Sequence, residues 1–126
     1  MNILLIDDDS DTAFLMDVLI RDLPFVEEYH IKLKAKNALR FLTTYEKPLS
    51  CIFVDIKMPE MDGFQFVQKY EEDFRLKFPD TQVYFLTSSA RQSDRSRAME
   101  FSSVKEFILK PLSKNKLKEI YERLMN

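Results

Sequence analysis

Four apolar segments of the chain each end in a polar residue that could take part in phosphate chemistry. In chain order, these residues are the pair Asp7 and Asp8, then Asp55, Thr87 and Lys110. Clustered carboxylates repel one another and favour a hard divalent cation with oxygen ligands, such as Mg²⁺. Beside such a cation, Asp55 could attack phosphorus and form an acyl phosphate. The Lys110 ammonium and the Thr87 hydroxyl would then stabilise the equatorial oxygens of the transferring group.

These residues can act together only if the segments before them bring them to one place. Residues 3–6, 51–54, 83–86 and 107–109 are continuous apolar runs, which is typical of strands buried on both faces of a parallel sheet. Residues 29–34 alternate between apolar and polar side chains, which indicates a half-exposed strand at the sheet edge. The sequence therefore predicts five strands, four of which end in the polar residues.

Helical patterns separate the predicted strands. Ser10 or Asp11 could cap the first helix, and Ser113 could cap the fifth. The second helix follows Asn37, and the third runs over residues 63–77. The fourth is rich in Arg and Ser, is poorly patterned, and is predicted to be short or irregular. The residues predicted to be buried on the first helix are Phe14, Leu15, Val18, Leu19 and Leu23.

The alternation of five strands with five helices predicts an α/β fold. The expected architecture is a doubly wound, five-stranded parallel sheet of order 2-1-3-4-5 with right-handed crossovers, which is flavodoxin-like. In that order, strands one and three flank the switch point, and the carboxyl ends of strands one, three, four and five meet along one edge. Residues 1–126 are expected to form a single domain with no output domain attached.

Composition and charge narrow the setting in which this chemistry would occur. The apolar runs are too short to span a membrane, and the single cysteine, Cys51, favours a reducing cytoplasm. Residues 1–87 carry 10 Lys/Arg and 16 Asp/Glu, whereas residues 88–126 carry 9 and 5. An acidic cation site in the first part and a basic partner face in the second would explain this imbalance. Arg95 and its neighbouring arginines are too few for a nucleic-acid surface.

In these motifs the chain resembles a receiver domain of the response regulators of two-component signalling, of the stand-alone type that is similar to the chemotaxis regulator. The matching pieces are Asp7-Asp8, the segment Asp-Ile-Lys-Met-Pro-Glu-Met-Asp-Gly at 55–63, Thr87, and Lys110-Pro111. The resemblance implies that Asp55 is the phosphoacceptor and receives its phosphoryl group from a histidine kinase or a phosphotransfer protein. It further implies a protein that is no enzyme beyond catalysing its own phosphorylation and dephosphorylation.

The same resemblance implies a metal site and a switch. Mg²⁺ would be held by Asp8, Asp55 and the backbone carbonyl of Lys57, with Asp7 holding the waters of the metal. Thr87 would move toward the phosphoryl group, and Phe107 would take the place of the aromatic switch residue. The signal would leave through the face formed by helix four, strand five and helix five, where a downstream protein binds. We expect a monomer or a weak dimer.

Two other functions remain open at this point. Haloacid-dehalogenase-type phosphatases also place a nucleophilic aspartate after their first strand, and Asp7 with Asp9 has their spacing. Asp11 stands where that family has threonine or valine, and Asp55 would have no role. A phosphate-independent binding module with the receiver fold is the second alternative, although such modules typically lack part of the acidic set or the lysine.

Overall fold

The structure is a computed structural model, and it describes all residues from 1 to 126. The strands are β1 (Asn2–Ile6), β2 (Glu28–Lys32), β3 (Cys51–Val54), β4 (Gln82–Thr87) and β5 (Val104–Leu109). The helices are α1 (Ser10–Arg21), α2 (Ala35–Thr44), α3 (Gly63–Asp73), α4 (Gln92–Ala98) and α5 (Lys114–Met125). None of these helices has the length and apolar character needed to cross a membrane.

The five strands form one parallel sheet in the order β2-β1-β3-β4-β5, which confirms the predicted topology. Every residue of β1 and β3 is buried, whereas β2 lies at an edge and every one of its residues is partly exposed. Apolar side chains of α2, α3 and α4 pack on one face of the sheet, and those of α1 and α5 pack on the other. This two-sided cover accounts for the continuous apolar runs of the central strands.

The buried face of α1 differs from the prediction. Phe14, Leu15 and Val18 are 64%, 58% and 45% exposed, so the predicted burial of these three residues is wrong. Leu19 is half-buried, and Leu23 is buried as predicted. The side chains that the helix itself buries are Met16 and Ile20. Apolar residues lie on more than one side of α1. Its packing on the sheet buries Met16 and Ile20 and leaves Phe14, Leu15 and Val18 exposed.

The helix ends also differ in detail from the prediction. Asp9 caps α1 through a 2.9 Å bond from the Asp11 amide to its carboxylate, in place of the expected Ser10 or Asp11. Helix α2 begins earlier than predicted and α3 ends earlier. Lys77 lies beyond α3 and donates to the Leu42 and Thr43 carbonyls, at 2.8 and 3.0 Å. These bonds satisfy acceptors that the C-terminal end of α2 leaves free.

Candidate functional site

The carboxyl ends of four neighbouring strands bring the predicted residues together. Asp7 follows β1, Asp55 follows β3, Thr87 ends β4 and Lys110 follows β5. The Lys110 ammonium lies 2.7 Å from Asp7 Oδ2 and 3.0 Å from Asp55 Oδ2. The Lys110 amide donates to the Thr87 carbonyl at 2.9 Å, which ties the ends of β4 and β5 together. The predicted convergence of these side chains at one sheet edge is therefore present in the structure.

Burial makes the charges of this cluster costly. Asp7 is fully buried and Asp55 is 8% exposed, whereas Asp8 faces solvent. Burial raises the pKa of Asp7, the charge of Asp55 raises it further, and the neighbouring Lys110 and the Asp9 amide only partly oppose this. Burial alone would lower the pKa of Lys110, but its contacts with Asp7 and Asp55 outweigh burial and raise it. One ammonium thus faces two buried carboxylates.

The carboxylates also fit a divalent cation. Asp7, Asp8 and Asp55 each offer one oxygen, and the three oxygens lie within 4.8 Å of one another. Asp7 Oδ2 is buried, and the Lys110 ammonium 2.7 Å away is the charge that faces it, with no hydrogen bond of good geometry to this oxygen. A metal ion or its bound water would satisfy this oxygen. The donor set, made only of carboxylate oxygens, suits a hard ion such as Mg²⁺.

The loop between β3 and α3 fixes the position of Asp55. The Ile56 amide donates to Asp55 Oδ1 at 2.7 Å, and the Gly63 amide donates to the Ile56 carbonyl at 2.8 Å. Asp62 caps α3 in a reciprocal pair with Gln65, each side chain accepting from the other's backbone amide. The loop thus returns at once to the backbone beside Asp55, and the start of α3 rests against it.

Glu60 in this loop has a positive φ of 70°, a conformation that costs a residue with a Cβ about 1–2 kcal/mol. Its carboxylate lies 3.9 Å from Lys34 and 3.4 Å from Lys36, both exposed ion pairs of little worth. We expect Glu60→Gly to be more stable than Glu60→Ala by about 1 kcal/mol, because both lose the ion pairs and only glycine relieves the backbone. Urea unfolding of the two variants measures the difference. Equal midpoints would show that the backbone of Glu60 is unstrained.

Two clefts border the cluster, and the larger one has room for a phosphoryl group. A cleft of about 260 Å³ opens beside Asp55 between Lys57, Thr87 and residues 88–91. A second, small cleft of about 70 Å³ runs from Lys110 toward α1. Its remaining lining residues are Thr12, Leu15, Met16, Leu19, Leu86, Pro111 and Leu112. The exposed side of α1 is thereby continuous with the strand-end cluster.

Phe107 belongs to the buried core and is 5% exposed. The guanidinium of Arg95 lies 5.2 Å from the centre of its ring, a contact that the sequence analysis did not foresee. Arg97 lies 4.2 Å from the ring centre of Phe64 in the same way. The sequence shows only a helix that carries arginines and lacks an apolar stripe. In the structure, Ala98 is the one buried residue of α4.

The basic charge predicted for the last third of the chain is partly neutralised. Lys116 pairs with Glu106 and Glu119, and Arg123 pairs with the same two carboxylates. The basic residues of this part that form no salt bridge are Arg91, Arg95, Arg97, Lys105, Lys114 and Lys118. The positive charge that remains free includes all three arginines of the segment around α4.

Comparisons with known proteins agree with this geometry. A family model described as the response regulator receiver domain matches residues 3–122. An uncharacterized 14.6 kDa protein of Leptolyngbya boryana is 34% identical over 113 residues, which cover 89% of this chain and 80% of that protein. Response regulator Rre1 of Synechocystis is 29% identical over 126 residues, but the chain spans only 52% of its length.

The fold comparison extends the match to solved structures. A two-component response regulator from Cytophaga hutchinsonii superposes with a TM-score of 0.87 at 30% identity, covering 99% of this chain and 96% of that one. The sensor histidine kinase CheAY of Helicobacter pylori contains a segment that is 36% identical over 90 residues, which cover 69% of this chain and 10% of that protein. The same sequence pattern thus occurs in single-domain and in much longer proteins.

Proposed function

Because this chain belongs to the response regulator receiver domain family, we propose that it is a phosphoacceptor of two-component signalling. Asp55 receives the phosphoryl group, and Lys110 and Thr87 assist the transfer. The observation that carries the proposal is the convergence of the Asp55 carboxylate, the Lys110 ammonium 3.0 Å away and a cleft that Thr87 also lines. The full burial of Asp7 argues against the alternative in which Asp7 is a phosphatase nucleophile.

The proposed reaction transfers a phosphoryl group from a phosphohistidine to Asp55, and the groups it needs come from the site, the donor and solvent. An Asp55 oxygen attacks the phosphorus of a phosphohistidine, the phosphorus–nitrogen bond breaks, and the imidazole leaves with a proton from solvent. Lys110 and the Thr87 hydroxyl face the phosphoryl oxygens as charge moves onto them. When bound by Asp7, Asp8 and Asp55, Mg²⁺ would neutralise the crowded negative charge; the Lys57 carbonyl is the further ligand that the family implies. Water later hydrolyses the acyl phosphate and restores the carboxylate.

Incubation with acetyl phosphate and Mg²⁺ tests the proposal directly. Intact-mass analysis should show the addition of one phosphoryl group, and borohydride trapping followed by peptide mapping should place it on Asp55. Trapping at Asp7 would support the phosphatase alternative instead. No mass gain under conditions in which a known receiver domain is labelled would overturn the proposed function.

Mg²⁺ is expected to stabilise the fold. The ion binds only where the folded chain gathers the three carboxylates, so its binding adds about 2.7 kcal/mol at a concentration ~100 times its dissociation constant. Thermal melting with and without Mg²⁺ should therefore show a rise in Tm. Asp8→Asn should lose most of this rise, because Asp8 is the exposed ligand and makes no contact with Lys110.

Asp80→Asn is the matched control for the magnesium measurement. Asp80 is also exposed, but it lies in the connection between α3 and β4, away from the cluster. This variant should keep the full response to Mg²⁺. An identical response in the Asp8 and Asp80 variants would show that the ion binds elsewhere.

We place the docking surface for the phosphodonor on α1. Phe14, Leu15 and Val18 form an exposed apolar patch, and Leu15 also lines the cleft that reaches Lys110. Exposed large apolar residues grouped on one helix indicate an interaction site. A protein that delivers phosphorus to Asp55 must lie against the edge on which Lys110 is found. The position of the patch beside that edge supports this assignment.

Leu15→Ser should separate protein donors from small ones. Loss of an apolar contact at the centre of an interface costs more than about 1 kcal/mol, so transfer from a phosphohistidine protein should slow about tenfold. Labelling by acetyl phosphate should not change, because Leu15 does not belong to the carboxylate cluster. Leu76→Ser is the control, since Leu76 is 97% exposed and lies after α3. Equal slowing in both variants would contradict the assignment of α1.

The output surface remains the one formed by α4, β5 and α5. The unpaired cations of this surface, among them Arg91, Arg95 and Lys105, favour a protein partner with acidic groups and an association that weakens with salt. Because Lys116 is paired with Glu106, the free cations of α5 are Lys114 and Lys118, whereas all three arginines around α4 are free. We therefore locate the phosphorylation-dependent contact around α4 and the adjoining side of β5.

A further inference from the structure

Strand β2 leaves one edge of the sheet open. Only β1 is hydrogen-bonded to it, because β2 comes first in the order β2-β1-β3-β4-β5. The Lys32 carbonyl accepts from the Asp7 amide at 3.0 Å, so the backbone of Lys32 faces β1. Backbone groups alternate in direction along a strand, so those of His30 also face β1, whereas those of Tyr29 and Ile31 face outward. Such a row of unpaired amides and carbonyls is a template for another strand.

The charges of β2 are complementary to those of a second β2 that runs in the opposite direction. The strand reads Glu-Tyr-His-Ile-Lys from Glu28 to Lys32. In an antiparallel pair centred on His30, Glu28 of each copy lies opposite Lys32 of the other. A slip of two residues in either direction separates Glu28 from Lys32, so the charges specify this register.

Both charges are available to a second copy. Hydrogen bonds, chiefly from Lys47 and then from His30, lower the pKa of Glu28 to about 2, so its carboxylate is ionised at neutral pH. Lys32 lies over the ring of Phe41, 5.3 Å from its centre, and forms no salt bridge within its own chain. Exposed ion pairs add little affinity, and Glu28 already pairs with Lys47. Charge therefore sets the register, and other contacts must hold two copies together.

The opposite face of β2 supplies such contacts. Tyr29 and Ile31 alternate with the charged residues, and both are half-buried. Leu33 follows the strand directly and is 48% exposed. In the same antiparallel pair, Tyr29 lies opposite Ile31 of the second copy, and Leu33 reaches the diagonal position beside Tyr29 of that copy. The apolar rows of the two copies would therefore meet.

We propose that a second copy of this chain pairs with β2 in the antiparallel direction, centred on His30, and joins the two sheets into one. Tyr29 of each copy exchanges backbone hydrogen bonds with Ile31 of the other. The two-fold axis makes the contact the same for both copies and leaves no free β2 edge, so the assembly stops at a dimer. One short strand from each copy forms the contact, so the dimer belongs to the weak, reversible class. It needs no phosphoryl group, because β2 carries no residue of the Asp55 cluster.

Hydrogen exchange measured by NMR tests the contact in the unmodified chain. The Tyr29 and Ile31 amides should exchange fast in dilute solution and become protected as the protein concentration rises. The His30 and Lys32 amides, bonded to β1, should be protected at every concentration. Sedimentation velocity should show a monomer–dimer equilibrium over the same range. A chain that stays monomeric up to about 1 mM would overturn the inference.

Engineered cysteines test the register. In this pair the two His30 residues form a non-hydrogen-bonded pair with Cα atoms about 4.5 Å apart, a spacing that a disulfide can bridge. His30→Cys should therefore become a covalent dimer in oxidised glutathione, and the buried Cys51 should not react. Leu33→Cys is the control, because position 33 is exposed but its two copies are about 20 Å apart in this register, so it should remain monomeric. Equal cross-linking of both variants would overturn the inference.

Charge reversal separates this contact from one through the output surface. Lys32→Glu places like charges opposite each other at both ends of the pair, so the dimer should weaken about tenfold. Lys105→Glu makes the same change at an exposed position of β5 and should leave the dimer unchanged. Sedimentation velocity measures both variants, and circular dichroism melting confirms that they are folded. A dimer that Lys105→Glu weakens and Lys32→Glu does not would place the contact on the output surface and overturn the inference.

Discussion

Asp55→Asn is expected to abolish phosphoryl uptake completely while leaving the fold intact. The amide of asparagine is a poor nucleophile, and no other carboxylate of the cluster is placed to replace it, because Asp7 is fully buried and Asp8 is not bonded to Lys110. The substitution also removes one of two negative charges that face one ammonium, so the metal-free protein should unfold at an equal or higher temperature.

Intact-mass analysis after treatment with acetyl phosphate and Mg²⁺ measures this loss. Asp80→Asn makes the same chemical change at an exposed position and should be labelled like the parent chain. Circular dichroism melting shows whether the Asp55 variant is folded. Stoichiometric labelling of the folded Asp55→Asn protein would assign the phosphoryl group to another residue.

Gly63→Ala is expected to cause the largest loss of stability among single methyl additions to this site. A Cβ at this position would lie 2.1 Å from the Asp55 carbonyl oxygen, 3.0 Å from the Asp55 carbonyl carbon and 3.1 Å from Ile56 Cα. All three are backbone atoms, so no side-chain rotation relieves the contact. Either α3 or the chain around Asp55 must shift, at a cost of about 3 kcal/mol or more.

The clash and the helix propensity of alanine have opposite effects on the free energy of unfolding. Alanine has a higher helix propensity than glycine, so without the clash Gly63→Ala at the first position of α3 would not destabilise the protein. Urea unfolding gives the change in free energy, and Mg²⁺ binding shows whether the site is displaced in any protein that still folds. Ser10→Ala is the matched control, since Ser10 is the exposed first residue of α1. A Gly63→Ala protein as stable as the parent would mean that α3 does not lie against Asp55.

The predicted sheet and the gathering of the site residues depended on local and topological signals. Four continuous apolar runs identified strands covered on both faces, and the right-handed parallel order then placed their carboxyl ends on one edge. Asp7, Asp55 and Lys110 meet there within hydrogen-bond distance, as the sequence predicted. The pattern of apolar residues along the chain suffices to predict that these side chains meet, because residues at strand ends are positioned by the sheet and not by their own side-chain packing.

The structure alone decided how helices turn their faces and where charges find partners. Phe14, Leu15 and Val18 repeat as well as Met16 and Ile20 do, so periodicity could not tell which side of α1 meets the sheet. The choice depends on the volume available between α1, α5 and the strands, and this volume exists only once all of them are packed.

The contacts of α4 show the same limit most clearly. Its sequence has no apolar period, and the rings that hold Arg95 and Arg97 come from β5 and α3, elements that lie on either side of it in the chain. Lys116 likewise forms an ion pair with Glu106, which lies ten positions earlier and on another element. A guanidinium or ammonium group is well hydrated almost anywhere on a protein surface. Its residue type therefore does not indicate which carboxylate or ring will lie beside it. The distance between elements in the folded chain determines that partner.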